Sequence, residues 1–269
     1  MRTPTARYFY DDLAADYDLM YADWDTSVVR QGVALDDRIT RALGPGGHDV
    51  LDCACGIGTQ ALGLAARGHR VTGTDLSPVA AARAAREAAA RGLRLAAGAA
   101  DMRALPLRDA SFDVVVCADN SLPHLLTPDD VRTALAEMRR VLRPGGLLLV
   151  TTRPYDALRA ERPLSTPPAV RTGPDGRSVT FQLWHWHDDG EHYDLELFQL
   201  RPGTAETPAP DGGLAPEHDQ WVTTVRRATY WALTRDRLTA LATEAGLHST
   251  AWHDPEETGF FQPMLTAHR

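Results

Sequence analysis

The sequence predicts an α/β protein: a doubly wound, mostly parallel sheet with helices on both faces, preceded by a helical segment and followed by an antiparallel hairpin. Three observations carry this. Short apolar runs alternate with segments of helical period between residues 49 and 152, and strands separated by helices lie side by side in parallel. The first of these runs ends in Asp52 and passes through a glycine-containing turn directly into a helix, the junction at which open α/β sheets bring backbone against a ligand. After Arg153 the alternation stops and gives way to Pro- and Gly-rich stretches and runs of β-type composition.

Each element has its own signal. Residues 8–43 place Tyr8, Leu13, Tyr17, Tyr21 and Trp24 at helical spacing among acidic positions, which predicts two helices with a break at residues 25–27, where Asp, Thr and Ser can cap. The GPGG run at 44–47 ends this region. A buried strand follows at 49–53, a helix at 59–67, a strand at 70–74, an Ala-rich helix at 78–91, a weaker strand at 93–97 and a strong one at 112–118. The helix at 128–142 opens on Thr127 as N-cap with Asp129 and Asp130 in its first turn. Pro144, Gly145 and Gly146 stop it, and 147–152 is the fifth strand. Residues 163–176 read as a loop, 179–186 and 193–200 as a hairpin around HDDGEH, and 202–218 as a second loop. Residues 222–230 form a strand, 234–245 a helix, and 248–253 and 260–267 two closing strands. The chain divides into a cap (1–43), a ligand-binding core (44–153), a substrate-side insertion (154–231) and a C-terminal return to the core (232–269).

Composition limits the function classes. A hydrophobic share of 43% in 269 residues supports a sizeable core. The net charge of -8, with all 28 basic residues Arg and no basic run, argues against nucleic-acid partners. Cys53, Cys55 and Cys117 lie in apolar stretches without C-x-x-C spacing, which points to a reducing compartment and no metal centre. His185, His187 and His192 flank a turn expected to be solvated rather than to hold a metal. No apolar stretch approaches the roughly 18 residues of a membrane span, and residues 1–10 lack a signal-type apolar segment. The expectation is a cytoplasmic protein that acts without a membrane partner.

The strongest local feature is HDVLDCACGIGTQALGLAARG. Gly56 and Gly58 leave room where a side chain would collide with a ligand. Nicotinamide-dependent enzymes use a similar turn, but the carboxylate of Asp52 would repel a pyrophosphate, whereas it attracts an ammonium. Asp75, at the end of VTGTD, can accept hydrogen bonds from both ribose hydroxyls. Asp101 can approach an adenine amino group with Met102 as the apolar neighbour of the ring.

Taken in order, LDCACGIG, Asp75, ADMR, FDVVVCADN and LRPGG resemble the motifs of the class I S-adenosylmethionine-dependent methyltransferases across residues 49–152. The resemblance implies a Rossmann-like sheet of seven strands, the last antiparallel, and S-adenosyl-L-methionine as cofactor. It implies cofactor contacts at Asp52, Ala54, Gly56, Gly58, Asp75, Leu76, Asp101, Met102 and Asp119. The alternatives are a Rossmann-type oxidoreductase and a noncatalytic cofactor-binding relative.

Three further segments, YDDLAADYDLMYADWDTSVVRQ, DNSLPHLL and TRPYD, resemble the glycine/sarcosine N-methyltransferase group. There an N-terminal helical lid covers the cofactor, an Asn after the fourth strand faces the reacting centre and an Arg after the fifth binds the acceptor carboxylate. The matching positions are Tyr10, Tyr17 and Arg30 in the lid, with Tyr17 and Arg30 on the cofactor, and Asn120 and Arg153 beside Tyr10 at the reacting centre. The chemistry suits them. Methyl transfer from a sulfonium is an in-line displacement governed by alignment and exclusion of water. An Arg fork orients a carboxylate, and an Asn oxygen can hold amine hydrogens. Local roles compete: Arg153 can pair with a surface acid, and His124, between Pro123 and Leu125, reads as packing or capping locally rather than as a base. Trp184 and Trp186 share one strand face, which suits an acceptor pocket and a core equally.

The resulting expectation is methyl transfer to the nitrogen of a small amine bearing a carboxylate. The second reading is a methyltransferase of specialised metabolism acting on O, C or ring N of a larger molecule. Base methylation of nucleic acid is disfavoured because DNSL stands where an N/D-P-P-Y motif would. The partner expected is a small-molecule acceptor; homo-oligomer formation is left open.

Overall fold

A computed structural model describes residues 6–173, 176–203 and 221–269. The chain begins with helix α1 (Ala6–Leu13), a 3-10 turn (Tyr17–Met20) and helix α2 (Trp24–Leu43). The break therefore falls at residues 14–23, earlier than the 25–27 expected. Asp23 caps α2 by accepting the Thr26 N–H at 2.9 Å, which draws Asp25, Thr26 and Ser27 into the first turn.

There follow β1 (Asp49–Asp52), α3 (Thr59–Ala66), β2 (Arg70–Asp75), α4 (Pro78–Ala90), β3 (Leu95–Ala99), β4 (Phe112–Cys117), α5 (Pro128–Val141) and β5 (Leu142–Thr151). Thr127 caps α5 as expected, accepting the Asp130 N–H at 3.2 Å. The Pro144–Gly146 run does not precede β5 but lies within it, at an irregularity where pairing with β4 shifts register between Phe112 and Val114.

Beyond β5 come α6 (Tyr155–Glu161), which the sequence reading lacked, and β6 (Ala169–Gly173), β7 (Gly176–Trp186), β8 (His192–Pro202) and β9 (Trp221–Trp231). The expected loop at 163–176 thus contains a strand. β6 is an edge strand held by backbone pairing to β7, with Val170 64% exposed, so no buried alternation marks it. Most of the second expected loop, 204–218, and the first five residues lie outside the described residues. Helix α7 (Arg235–Glu244), β10 (His248–His253), the short α8 (Pro255–Thr258) and β11 (Met264–His268) close the chain.

The strands form two sheets. One has seven strands in the order β10-β11-β5-β4-β1-β2-β3, with β11 antiparallel to both neighbours and the β5-to-β3 run parallel. The other is antiparallel, β6-β7-β8-β9. Leu51, Val115, Leu148 and Leu265 pack on one face of the first sheet with α5 and α7 residues such as Met138 and Leu241. Val50, Val114 and Leu149 pack on the other with Leu35 and Ile39 of α2 and Leu64 of α3. Helices α2 and α3 meet at Gly32 and Gly63, where a Cβ on Gly63 would stand 2.5 Å from the Val28 carbonyl oxygen. The inner face of the second sheet, with Trp184, Tyr193 and Tyr230, packs on Phe9 and Leu13 of α1 and on Tyr155 of α6. Among the described residues no helix is long and apolar enough to cross a membrane.

Candidate functional site

Two cavities lie at the carboxyl edge of the parallel strands, where the reversal of winding between β1 and β4 opens a crevice. Both are lined by Tyr10 and Tyr17 of the N-terminal segment. The cap thus forms the wall between them.

The first cavity, of about 310 Å³, is lined by Ala54 and Gly56 after β1, Asp75 and Leu76 after β2, and Asp101 and Met102 after β3. Gly56 adopts φ 52°, and a Cβ there would stand in open space. Asp75 shapes the turn: its Oδ2 accepts the Gly56 N–H and its Oδ1 the Ser77 N–H, each at 2.8 Å. Burial raises its pKa. The Asp101 carboxylate accepts hydrogen bonds from Arg103, and that guanidinium holds its pKa below the usual range.

Asp52 and Gly58, also expected here, line neither cavity. Gly58 caps α3 at φ 102°. Asp52 is wholly buried beneath the turn with Oδ2 unpartnered. Burial, with the like charge of Asp75 adding to it, pushes its pKa up to about 7.

The second cavity, of about 510 Å³, gathers Asp119, Asn120, Arg153 and Arg30 with Tyr21, Gln31, Tyr230 and Gln262. Asp119 and Asn120 occupy the left-handed region, φ 54° and 64°, a conformation costly for residues with a Cβ and common where a site dictates the backbone. The Asp119 carboxylate accepts from the Tyr21 hydroxyl at 2.9 Å and the Gln262 amide at 3.3 Å. Thr151 Oγ1 accepts the Asp119 N–H at 2.8 Å and donates to Gln262 Oε1 at 2.9 Å. This network ties the cap to the ends of β4 and β5.

Asn120 Oδ1 accepts the Arg153 N–H at 3.1 Å, which fixes the amide orientation and leaves Nδ2 buried without a hydrogen bond. The remaining group on Asn120 is therefore a donor, and it lies beside the buried Tyr155 hydroxyl, where it acts to lower that pKa against the larger effect of burial. Gln31 repeats the pattern: Oε1 accepts from Gln60 at 2.7 Å and Nε2 has no partner. The Arg153 guanidinium donates to Tyr193 at 2.9 Å and Gln182 at 3.3 Å and lies over the Trp184 and Tyr230 rings at 4.8 and 5.3 Å. No carboxylate lies within ion-pair distance of it among the described residues, contrary to a surface-pair role. Trp184 is thus core on its sheet and a support for this cation at once.

His124 reaches well beyond its own turn. Its Nε2 is 2.7 Å from the Tyr10 hydroxyl, and its ring lies 4.2 Å from that of Tyr230. Gln182, Tyr230 and Gln262 were not singled out in the sequence, and Tyr21 and Gln31 only as part of the cap segment. Their positions carry no local motif, and Gln262 reaches Asp119 only because β11 inserts beside β5. His185, His187 and His192 pair with Glu196, Asp194 and Asp189 at 3.5, 3.2 and 2.6 Å. Among the described residues no three His, Cys, Asp or Glu side chains form a metal-holding group.

Residues 50–146 match a family model described as a methyltransferase domain. A glycine/sarcosine N-methyltransferase of Parasynechococcus marenigrum (strain WH8102) is 35% identical over 198 residues, 67% of this chain and 67% of that protein. Another, from Halorhodospira halochloris, is 33% identical over 189 residues, 66% of this chain and 69% of its own. The S-adenosylmethionine-bound structure of an amino pentose methyltransferase from Micromonospora echinaspora, involved in calicheamicin biosynthesis, superposes with a TM-score of 0.69 at 23% identity, covering 90% of this chain and 92% of that one.

Proposed function

Because the chain belongs to the class I S-adenosylmethionine-dependent methyltransferases, we propose that it methylates the nitrogen of a small amine bearing a carboxylate, with the second cavity as acceptor site. The cofactor, S-adenosyl-L-methionine, supplies an electrophilic methyl group on a sulfonium when bound. The first cavity fits its adenosyl part: open space faces Gly56, the Asp75 oxygens have lone pairs left for two hydroxyls, and Met102 offers an apolar face. In this reading Ala54, Leu76 and Asp101 line the adenosine, while Tyr17, Arg30 and Asp119 hold the amino-acid end. The unpartnered Asp52 Oδ2 contributes its field from beneath the turn.

The observation that carries the acceptor assignment is Arg153. Aromatic rings and neutral oxygens hold its guanidinium in place, and among the described residues no carboxylate comes within ion-pair distance, although the Asp119 carboxylate on the same cavity feels its charge. A cation withdrawn from water is stabilised by an anion that completes it, and a bidentate carboxylate is the matching shape. Asn120 lines the same cavity and holds the Arg153 backbone in place through its Oδ1. The two cavities meet at Tyr10 and Tyr17, and methyl transfer between them depends mainly on alignment and desolvation. The glycine/sarcosine relatives support this reading.

The aromatic lining of the second cavity, with Phe9, Tyr10 and Tyr230, suits the second reading, since pockets for larger ligands are lined mostly by apolar and aromatic side chains. There the acceptor is a larger specialised metabolite, as the amino pentose activity of the structural neighbour illustrates. A panel of glycine, sarcosine, amino sugars and aromatic acceptors with labelled cofactor separates the two. Arg153→Lys is expected to lose the preference for acid over carboxamide, and Arg153→Ala to cost on the order of 2 to 5 kcal/mol in acceptor specificity. Methylation restricted to acceptors without a carboxylate, or a mutant that discriminates as well as native enzyme, refutes the first reading.

A further inference from the structure

The Asp119 side chain receives one hydrogen bond from the cap and one from the segment before β11: the Tyr21 hydroxyl donates to Oδ2 at 2.9 Å and the Gln262 amide to Oδ1 at 3.3 Å. Each is the last step of a series that begins in a group able only to donate. In the first series the Trp24 indole N–H donates to Thr59 Oγ1 at 2.9 Å, and the Thr59 hydroxyl reaches the Tyr21 oxygen at 3.4 Å. In the second the Asp119 N–H itself donates to Thr151 Oγ1 at 2.8 Å, and that hydroxyl donates to Gln262 Oε1 at 2.9 Å. The Gln262 amide then closes a ring on the residue from which the series started. In these directions every proton has an acceptor. Turning the Gln262 amide over would set its oxygen 3.3 Å from Oδ1 and leave the Thr151 hydroxyl proton facing an NH2 group. Thr151 and Gln262 are both buried, and the Thr152 N–H donates to the Pro263 carbonyl at 3.2 Å, so the segment carrying Gln262 is fixed to the end of β5.

We propose that Gln262 and Tyr21 are positioning residues, which hold Asp119 as an acceptor-only carboxylate for the ammonium of the cofactor's amino-acid end. A carboxylate has about four lone-pair sites. Two are spent on these donors, which leaves the others for a ligand in the second cavity, lined by Asp119. Burial raises the Asp119 pKa, against the opposing effects of Tyr21, the Arg153 charge and Gln262, and a cation bound beside it favours the charged form. Arg30 lines the same cavity, so a cationic and an anionic group are both at hand for the two charges of an α-amino acid. Adenosine carries no cation, which confines the Asp119 contact to the amino-acid end. Without either donor the carboxylate is less firmly oriented and keeps its proton more readily, and its selectivity for an ammonium falls. The inference rests on the placing of that end beside Tyr17, Arg30 and Asp119 given above, and not on the identity of the acceptor.

Calorimetric titration of the full-length protein near neutral pH tests it with three ligands: S-adenosylhomocysteine, its deamino analogue, which keeps the carboxylate but lacks the ammonium, and its decarboxylated analogue, which keeps the ammonium. Native protein is expected to bind S-adenosylhomocysteine roughly tenfold or more tightly than the deamino analogue, and Asp119→Asn to lose most of that preference. Gln262→Met and Tyr21→Phe are each expected to weaken S-adenosylhomocysteine and the decarboxylated analogue roughly tenfold, while the deamino analogue stays within about twofold. A variant that weakens all three ligands alike, or none of them, overturns the positioning role of that residue, because a merely structural contact does not distinguish an ammonium from its absence. If Gln262→Met does not fold, Tyr21→Phe, which leaves the ring through Thr151 in place, carries the same test. Native protein that binds the deamino analogue as tightly as S-adenosylhomocysteine overturns instead the placing of the amino-acid end at Asp119, whatever the variants do.

Discussion

Asp52→Asn removes a charge from the end of β1 while keeping nearly the same shape, and its effect on stability has a definite sign. The carboxyl is wholly buried, one oxygen has no partner, and burial with the nearby Asp75 pushes the pKa from 3.8 to about 7. In the unfolded chain it ionises near 3.8; in the folded protein it keeps its proton until about pH 7. Between those values the folded state binds the extra proton, so this contribution to stability is fully present below 3.8 and is lost as pH rises through 7. The spread of roughly three pH units, at about 1.4 kcal/mol each, gives a loss on the order of 4 kcal/mol. Asn does not ionise. Without cofactor, the stability of the variant minus that of native protein is therefore expected to be smallest near pH 4 and to grow by up to that amount near pH 8. Urea unfolding of both proteins at constant ionic strength measures it, since the other titrating groups largely cancel in the difference. A difference independent of pH would refute a protonated Asp52. On binding S-adenosylhomocysteine, whose ammonium favours the carboxylate, native protein is expected to release protons near pH 6 and the variant fewer, read from the buffer dependence of the binding enthalpy.

Asp75→Asn keeps one acceptor for the Gly56 and Ser77 N–H groups and loses the other, so cofactor affinity is expected to fall by roughly 1 to 3 kcal/mol with the fold intact; unchanged calorimetric affinity removes Asp75 from the site. The cap is latched by Asp16 to Arg201 and Arg226, each at 2.8 Å, and by Asp18 to Arg83, also at 2.8 Å. Asp16→Asn is expected to raise hydrogen exchange across residues 8–30 without cofactor, and cofactor to restore protection; equal protection in all states would make the cap a permanent wall. Gly63→Ala places a Cβ 2.5 Å from the Val28 carbonyl oxygen and 2.8 Å from Gly32 Cα, which forces α2 from α3 and is expected to destabilise by about 1 to 3 kcal/mol. An unchanged Tm would contradict that contact.

Much of the core was legible because its information is local. Apolar runs of strand length, an N-cap such as Thr127, and a glycine turn after an acidic strand end are each set by neighbours a few residues away. The first cavity followed from them, since Asp75 ends β2 and Gly56 and Met102 sit just past β1 and β3, strand ends that a parallel sheet must bring to one edge. Strand β6 and helix α6 were not legible. The first is an edge held by backbone bonds, and the second is a single short helix whose Tyr155 is buried by another sheet.

The sequence by itself determined the order of strands and helices from β1 to β5, the glycine turn after β1, and which residue types stand at its rim. It also placed Arg153 and Asn120 after their strands. What they face was decided by the tertiary structure alone. Arg153 meets Trp184, Tyr193 and Tyr230 because the antiparallel sheet folds over the end of β5. The Asn120 oxygen is taken by the Arg153 N–H, which leaves the amide donor as its unspent group. Tyr10 and His124 become partners only when α1 lies against the segment following β4. Periodicity and capping act over a few residues, whereas hydrogen-bond direction and charge pairing depend on which distant atoms arrive first, and only packing of the whole chain sets that.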